Sequence, residues 1–326
     1  MSSLSPRCRG GGEHHHKIVC LDAVWCPPPT FDFPHEYVEY GNTEGEDLIA
    51  ERARDATIIL TQRVPVSART VEACPRLELI VFMASGTEIA DHDACRARGI
   101  IVYNMPGANA ETVAEHAFAL YLAAKRQIIN IHRITLAGDA WPGEKSLLGL
   151  YPRPPRGLKR EILGIVGYGA IGSALGMSVL IAERKHVEPD QVREERVSFQ
   201  QVISTCTVLM LCCPLDKSST NTISEPELQT MRPDSIIVNV ARGAVMDEAA
   251  LLRALQQGWI SAAATDVFVD EPATKESSRL VRECPSSLTL SPHIAWYGDS
   301  SLENVRSRVK QMIETYVAGE FIDSVL

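Results

Sequence analysis

GYGAIGSALGMSVLIAERK, Gly167 to Lys185, opens with three glycines in the spacing G-x-G-x-x-G (Gly167, Gly169, Gly172) and closes with an apolar run and an acid, Glu183. The apolar stretch ILGIV stands directly before it, so the segment reads as strand, tight turn and helix start. In that arrangement Gly167 makes the turn and Gly169 lets the backbone approach a pyrophosphate. The helix N-terminus beyond them, from Ala170 and Ile171 onward, offers free N–H groups and positive potential. An acid at the end of the next strand then takes the ribose hydroxyls. The acid arrives early. Sixteen positions carry the chain from Gly167 to Glu183, and eleven from Gly172, where about 20 are usual.

Taking MSVLIA as the second strand leaves only Ser173 to Gly176 between it and the last glycine. Crossing back over a strand of about five residues covers about 16 Å, which a helix spans in about 11 residues. Ala170 to Gly176 supplies seven. The expectation is a crossover helix cut to a stub, or a partly extended crossover. Either would uncover apolar sheet surface and displace Glu183 relative to a ribose. Asp190, eighteen residues beyond Gly172, has the more usual spacing. Glu183 is preferred because VLIA ends directly at it, whereas Asp190 follows Pro189 in a charged stretch. A Glu there repels a 2′-phosphate and favours NAD, while Arg184 and Lys185 keep NADP open.

The rest of the chain suits such a unit. Its 326 residues are enough for two domains of about 150 residues each. A net charge of −9 argues against a nucleic-acid surface, which needs clustered Lys and Arg. No apolar run approaches the ~18 residues of a membrane span. The nine cysteines (Cys8, Cys20, Cys26, Cys74, Cys95, Cys206, Cys212, Cys213, Cys284) form no C-x-x-C pair, so reduced, mostly buried thiols are expected. His14, His15 and His16 lack the paired spacing of a zinc site, and no metal is expected. The leader MSSLSPRCRGGG supports a transit peptide only weakly, which leaves the cytoplasm as the expected location.

Both halves alternate strand-like and helix-like segments, the pattern of open α/β sheets. In the first half KIVCLDAV, ATIILTQ, LELIVFMA and GIIVYN read as buried parallel strands, with EGEDLIAERARD and SARTVEACPR as helices between them. AETVAEHAFALYLAAKRQI reads as one longer helix. The Pro- and Gly-rich stretch WPGEKSLLGLYPRPPRGLKR, Trp141 to Arg160, reads as a loop into a second sheet. That sheet is expected from EILGIVGYG, MSVLIAE, CTVLMLCC, SIIVNVA and SAAATDV, with the helix DEAALLRALQQG carrying acids at its start and Gly258 at its end. SLENVRSRVKQMIETYVAG closes the chain as a helix.

Three polar residues fall at strand ends, where such sheets place ligands. Arg242 follows IIVNVA, Glu271 follows AATDVF in DVFVDEP, and His293 stands in LSPHIAW. Arg holds a carboxylate in a forked contact and polarises a neighbouring carbonyl. His gives or takes a hydroxyl proton near neutral pH, and a carboxylate beside it favours the imidazolium and holds the ring. Together they suit redox chemistry on a keto acid. Singly, each has an ordinary structural explanation: a surface salt bridge, a turn acid, a satisfied core histidine.

GYGAIG, CPLDKSST, MRPDSIIVNVARGAVMDEAALLRAL, DVFVDEP and SPHIAW, in that order, resemble the D-isomer-specific 2-hydroxyacid dehydrogenases. So does LELIVFMASGTEIADHDACRARGIIVYNMPGANAETVAEHAFAL in the first half. The likeness runs from about Lys17 nearly to the end. It implies two Rossmann/flavodoxin-like α/β domains with parallel sheets: a discontinuous substrate domain, 1–104 and 296–326, and an NAD-binding domain, 105–295. It implies hydride transfer between NAD(P)H and a small 2-keto or D-2-hydroxy acid of the hydroxypyruvate or glyoxylate type. Arg242, Glu271 and His293 match the family's catalytic residues. The backbone at Ser85 and Gly86, with Arg242, matches its substrate-carboxylate site. Thr112, Gly167, Gly169, Ala170, Ile171, Gly172, Glu183, Cys213, Pro214, Ala241 and Asp266 match its cofactor-binding positions. A homodimer through roughly Lys125 to Leu150 is also implied. The family's G-x-D-N-I-D run is replaced by GTEIAD, which matters little where backbone binds the carboxylate. A non-catalytic NAD-sensing corepressor and a paralogue impaired in cofactor binding by its short helix are the alternatives.

Overall fold

The computed structural model describes residues 15–151, 154–167, 178–320 and 324–326. The chain divides into two compact units, Met1–Asn109 with Gly298–Leu326, and Ala110–Tyr297.

The first unit is built from β1 (His16–Cys20), β2 (His35–Glu39), α1 (Glu46–Ala53), β3 (Ile58–Thr61), α2 (Ala68–Ala73), β4 (Leu79–Phe82), α3 (His92–Arg98) and β5 (Ile101–Tyr103). Its five strands pair in parallel in the order β2-β1-β3-β4-β5. The apolar runs IILT and LIVF are buried along their whole length, because a parallel sheet wound with helices on both faces leaves no strand side in water. β2 was not expected. Its sequence HEYVE is half-exposed throughout, as an edge strand can be, so it lacks the continuous apolar signature of the others.

The second unit begins with α4 (Ala110–Lys125), α5 (Ile128–Ala137) and α6 (Ala140–Glu144). The single long helix expected here breaks at Gln127, whose φ is 49°. The stretch from Trp141 expected to be a loop opens instead within α6 and continues through 3-10 turns at Leu148–Leu150 and Leu158–Arg160. Pro142 sits in the first turn of α6, where a missing N–H does no harm.

There follow β6 (Ile162–Val166), β7 (Ser178–Ile181), α7 (Phe199–Thr205), β8 (Val208–Leu211), α8 (Glu225–Thr230), β9 (Ile236–Asn239), α9 (Glu248–Gln257), β10 (Ala262–Thr265), α10 (Arg279–Glu283) and β11 (Leu288–Leu290). The six strands are parallel in the order β11-β10-β9-β8-β6-β7. A lone parallel bridge between Ala182 and Val197 lies beyond β7, where the Rossmann order 3-2-1-4-5-6 has its third strand. α4 covers one face with Ala117, Leu120, Tyr121 and Ala124, and α7, α8 and α9 cover the other. Asp247 caps α9 by accepting from Ala249 and Ala250 N–H, and Gly258 ends it in the left-handed region. Residues 168–177, which contain the expected shortened helix, lie outside the described residues.

The last helix, α11 (Asp299–Val317), belongs to the first unit. It lays Val305, Val309 and Ile313 on Ile18, Ile58 and Leu79 of the first sheet. Among the described residues no helix is long and apolar enough to cross a membrane.

Candidate active site

In the second unit the expected site residues gather at the C-terminal ends of the parallel strands, the edge where open α/β sheets take ligands. Gly167 follows β6 with φ +91°. A Cβ on it would lie 2.4 Å from the backbone nitrogen of Cys213, so only glycine lets the turns after β6 and β8 touch. Cys212 N–H donates to Val166 O at 2.8 Å and holds the two turns in register. Bare backbone at the switch point between β6 and β8 is what a pyrophosphate needs, and the described part of this site fits a dinucleotide. Gly169, Ala170, Ile171 and Gly172 lie outside the described residues. Pro214 follows Cys213 in the turn, and Thr112 stands in the first turn of α4.

Arg242 is set by its neighbours. The buried Asn239, the last residue of β9, accepts from Ala241 N–H and donates to Arg242 O, both at 3.0 Å. Arg242 Nη1 donates to Ala241 O at 2.9 Å. Gly243 has no room for a side chain: a Cβ would lie 2.0 Å from the carbonyl carbon of Phe268. The turn carrying Arg242 is thereby pressed against the loop after β10. In that loop Phe268 N–H donates to Glu271 Oε1 at 2.9 Å, and Val269 N–H donates to Glu248 Oε1 at 2.9 Å.

Glu271 Oε2 lies 2.5 Å from His293 Nδ1, and the two side chains are 31% and 30% exposed. A carboxylate on Nδ1 fixes the ring orientation and assigns that proton to Nδ1, an arrangement in which Nε2 is the nitrogen able to exchange a proton. His293 has φ 54°, a left-handed conformation that only a few per cent of non-glycine residues adopt. Four hydrogen bonds hold it there. His293 N–H donates to Asp266 O at 2.7 Å; Ile294 and Ala295 N–H donate to the Asp266 carboxylate at 3.1 and 2.8 Å; and Trp296 Nε1 donates to His293 O at 3.0 Å. His116 of α4 completes the cluster, with Nε2 3.0 Å from Ser291 Oγ and 3.4 Å from Asp266 Oδ1.

Glu183 stands at the end of β7 but is not open. It is buried, and its carboxylate takes Arg193 Nε and Nη2 at 2.7 and 2.5 Å. The Arg193 guanidinium holds the Glu183 carboxyl down at about 2. In the first unit, Ser85 and Gly86 follow β4. Asn104 Nδ2 donates to Ser85 O at 2.6 Å, and Ser85 Oγ donates to Met105 O at 3.2 Å. Sequence reasoning missed Arg193, Asn239 and His116. Asn239 had a visible signal, an amide closing an apolar strand just before Arg242; Arg193 had none, standing amid a charged stretch.

The sequence profile of the D-isomer specific 2-hydroxyacid dehydrogenase NAD binding domain matches residues 118–295. A glycerate dehydrogenase of Methylorubrum extorquens is 34% identical over 93% of this chain and 97% of that protein. A glyoxylate reductase of Thermococcus litoralis is 32% identical over 84% of each. The structure of a D-lactate dehydrogenase from Aquifex aeolicus, complexed with NAD and lactic acid, superposes with a TM-score of 0.72 at 26% identity, over 87% of this chain and 90% of that one. The chain belongs to the D-isomer-specific 2-hydroxyacid dehydrogenases, NAD(P)-dependent oxidoreductases that move a hydride between the cofactor and a small 2-keto or 2-hydroxy acid.

Proposed function

We propose that this chain reduces hydroxypyruvate or glyoxylate, and that Arg242, Glu271 and His293 carry the chemistry. The observation behind this is the 2.5 Å contact of Glu271 with His293 Nδ1 on the strand edge that also bears Arg242. The names of the related glycerate dehydrogenase and glyoxylate reductase support the substrate class.

The nicotinamide, when bound, supplies the hydride to C2 of the keto acid. His293 Nε2 gives its proton to the C2 oxygen as that oxygen gains charge, and recovers it from the hydroxyl in the reverse direction. Glu271 holds the ring and balances the imidazolium charge. Arg242 grips the carboxylate and polarises the carbonyl with a forked cation that stays charged. The backbone at Ser85 and Gly86 is assigned to substrate binding. Gly167, Gly169, Ala170, Ile171, Gly172 and Ala241 are assigned to the cofactor backbone, Glu183 and the Cys213-Pro214 turn to the adenosine end, and Thr112 and Asp266 to the nicotinamide end. Two oxygens of Asp266 already hold the His293 segment, and a carboxylate has lone pairs left for an amide.

The chain is proposed to act as a homodimer through the arm after α4. α5 has no buried residue, yet Ile128, Ile129 and Leu136 are 53%, 45% and 73% exposed; apolar surface of this kind calls for a cover. Eight cysteines among the described residues are free, which supports a reducing, cytoplasmic setting.

The test is a panel of 2-keto acids with purified protein and both reduced cofactors. Hydroxypyruvate and glyoxylate are expected to give the highest kcat/KM. A higher value for pyruvate or a bulkier keto acid would overturn the substrate assignment while leaving the family intact.

A further inference from the structure

A ribose-binding acid works by offering two carboxylate oxygens to two hydroxyls, and its charge repels a 2′-phosphate. Glu183 offers little of either. Oε1 accepts from Arg184 N–H at 2.9 Å and from Arg193 Nη2 at 2.5 Å. Oε2 accepts from Arg193 N–H at 3.2 Å and from Arg193 Nε at 2.7 Å. A carboxylate has about four lone-pair sites, and these four donors take them. The side chain of Glu183 is 2% exposed and that of Arg193 56%, so the acid lies beneath its own cation. A second guanidinium is tied to the same strand end, where Arg196 Nη1 donates to Ala182 O at 3.1 Å.

We propose that Arg193, seated by Glu183, is the residue that sets cofactor choice, and that the chain takes NADPH at least as tightly as NADH. This rests on the assignment of Glu183 to the adenosine end of the cofactor. A guanidinium has five N–H donors; two go to the Glu183 side chain, and the rest of the fork can receive a phosphate. Forked pairing of guanidinium with phosphate is strong and geometrically specific, and the 2′-phosphate carries a charge of about −1.5 to −2. Glu183 thus acts as a positioning residue that presents a cation, and its burial under Arg193 removes the repulsion a bare acid would exert. Exposed Arg184 adds to the positive charge at the strand end, while Lys185 is spent on Glu227 at 2.9 Å.

The test is equilibrium binding without substrate, by fluorescence titration of the full chain with NADPH and NADH and by competition with 2′,5′-ADP and 5′-AMP. NADPH is expected to bind at least as tightly as NADH, and 2′,5′-ADP to compete about tenfold better than 5′-AMP, a gap of about 1.4 kcal/mol. Arg193→Ala is expected to weaken NADPH about tenfold or more and to leave NADH unchanged or tighter, since it frees Glu183 for the ribose. NADH binding tenfold tighter than NADPH in the unaltered chain, or an Arg193→Ala variant with an unchanged ratio, overturns the proposal and leaves the cofactor site standing. Absence of saturable binding by either dinucleotide overturns the site assignment beneath it as well. The competition arm needs no variant and reads the result even if Arg193→Ala fails to fold.

Discussion

Asp266 anchors the segment that carries His293: its carbonyl accepts the His293 N–H at 2.7 Å, and its carboxylate accepts the next two N–H groups, from Ile294 and Ala295. Three consecutive donors on one residue hold the left-handed turn that aims the imidazole. Asp266→Ala leaves two N–H groups without acceptors, each costing about 1–3 kcal/mol where water cannot replace the oxygen. Thermal unfolding should show a clear drop in Tm, with kcat falling more than the KM for the keto acid. Asp266→Asn keeps one acceptor oxygen and should lose less. A variant with normal Tm and normal kcat would remove Asp266 from this role.

Gly243→Ala tests how the Arg242 turn is pressed on the loop bearing Glu271. The added methyl would stand 2.0 Å from the Phe268 carbonyl carbon and 2.2 Å from its oxygen, so backbone must move. Overpacking of this kind typically costs about 1–3 kcal/mol, and kcat should fall with it because the side chains proposed to carry the chemistry, Arg242 and Glu271, both shift. Urea unfolding and steady-state kinetics read the two effects. Unchanged stability would show that the two turns part freely.

The Glu183–Arg193 pair should leave its mark on stability against pH. The folded carboxyl is lowered from 4.5 to about 2. A depressed acid contributes stability that is fully present above its unfolded value and is lost as pH falls through its folded one. The Tm gap between the unaltered chain and Arg193→Ala should therefore be constant from neutral pH down to about 5 and close between about 4.5 and 2. A gap that stays constant to pH 2, or widens, contradicts the pairing.

Ile129→Glu with Leu136→Glu should convert the proposed dimer to a monomer, since charge on a buried apolar contact has no compensation. Light scattering after size exclusion gives the mass directly. A chain that is monomeric before substitution would remove the dimer proposal.

Much of this was legible in the sequence for a plain reason: parallel strands buried on both sides are continuous apolar runs. ILGIV, VLML and AAAT announce themselves, and the polar residues that follow such runs land on the ligand-binding edge. β2 escaped because an edge strand need not be apolar. α6 escaped because Pro142 and Gly143 look like breakers, although a proline is harmless in a first turn. Arg193 was invisible because ion pairing across ten residues of irregular chain follows from the folded path alone. The acid at Glu183 was read as a bare charge; only its partner shows that it is covered. The shortened crossover helix remains a reading of spacing, since residues 168–177 lie outside the described residues.

The most direct test of the central claim is the turnover of His293→Gln with hydroxypyruvate or glyoxylate and the better of the two reduced cofactors. Glutamine keeps the approximate size of the ring but cannot exchange a proton, and general acid–base catalysis contributes about 10²–10⁴-fold. A fall in kcat of at least about a hundredfold is expected, with cofactor binding by fluorescence titration unchanged. Turnover close to that of the unaltered chain, with cofactor still bound, would contradict the assignment of His293 as the acid–base group and the role of Glu271 beside it.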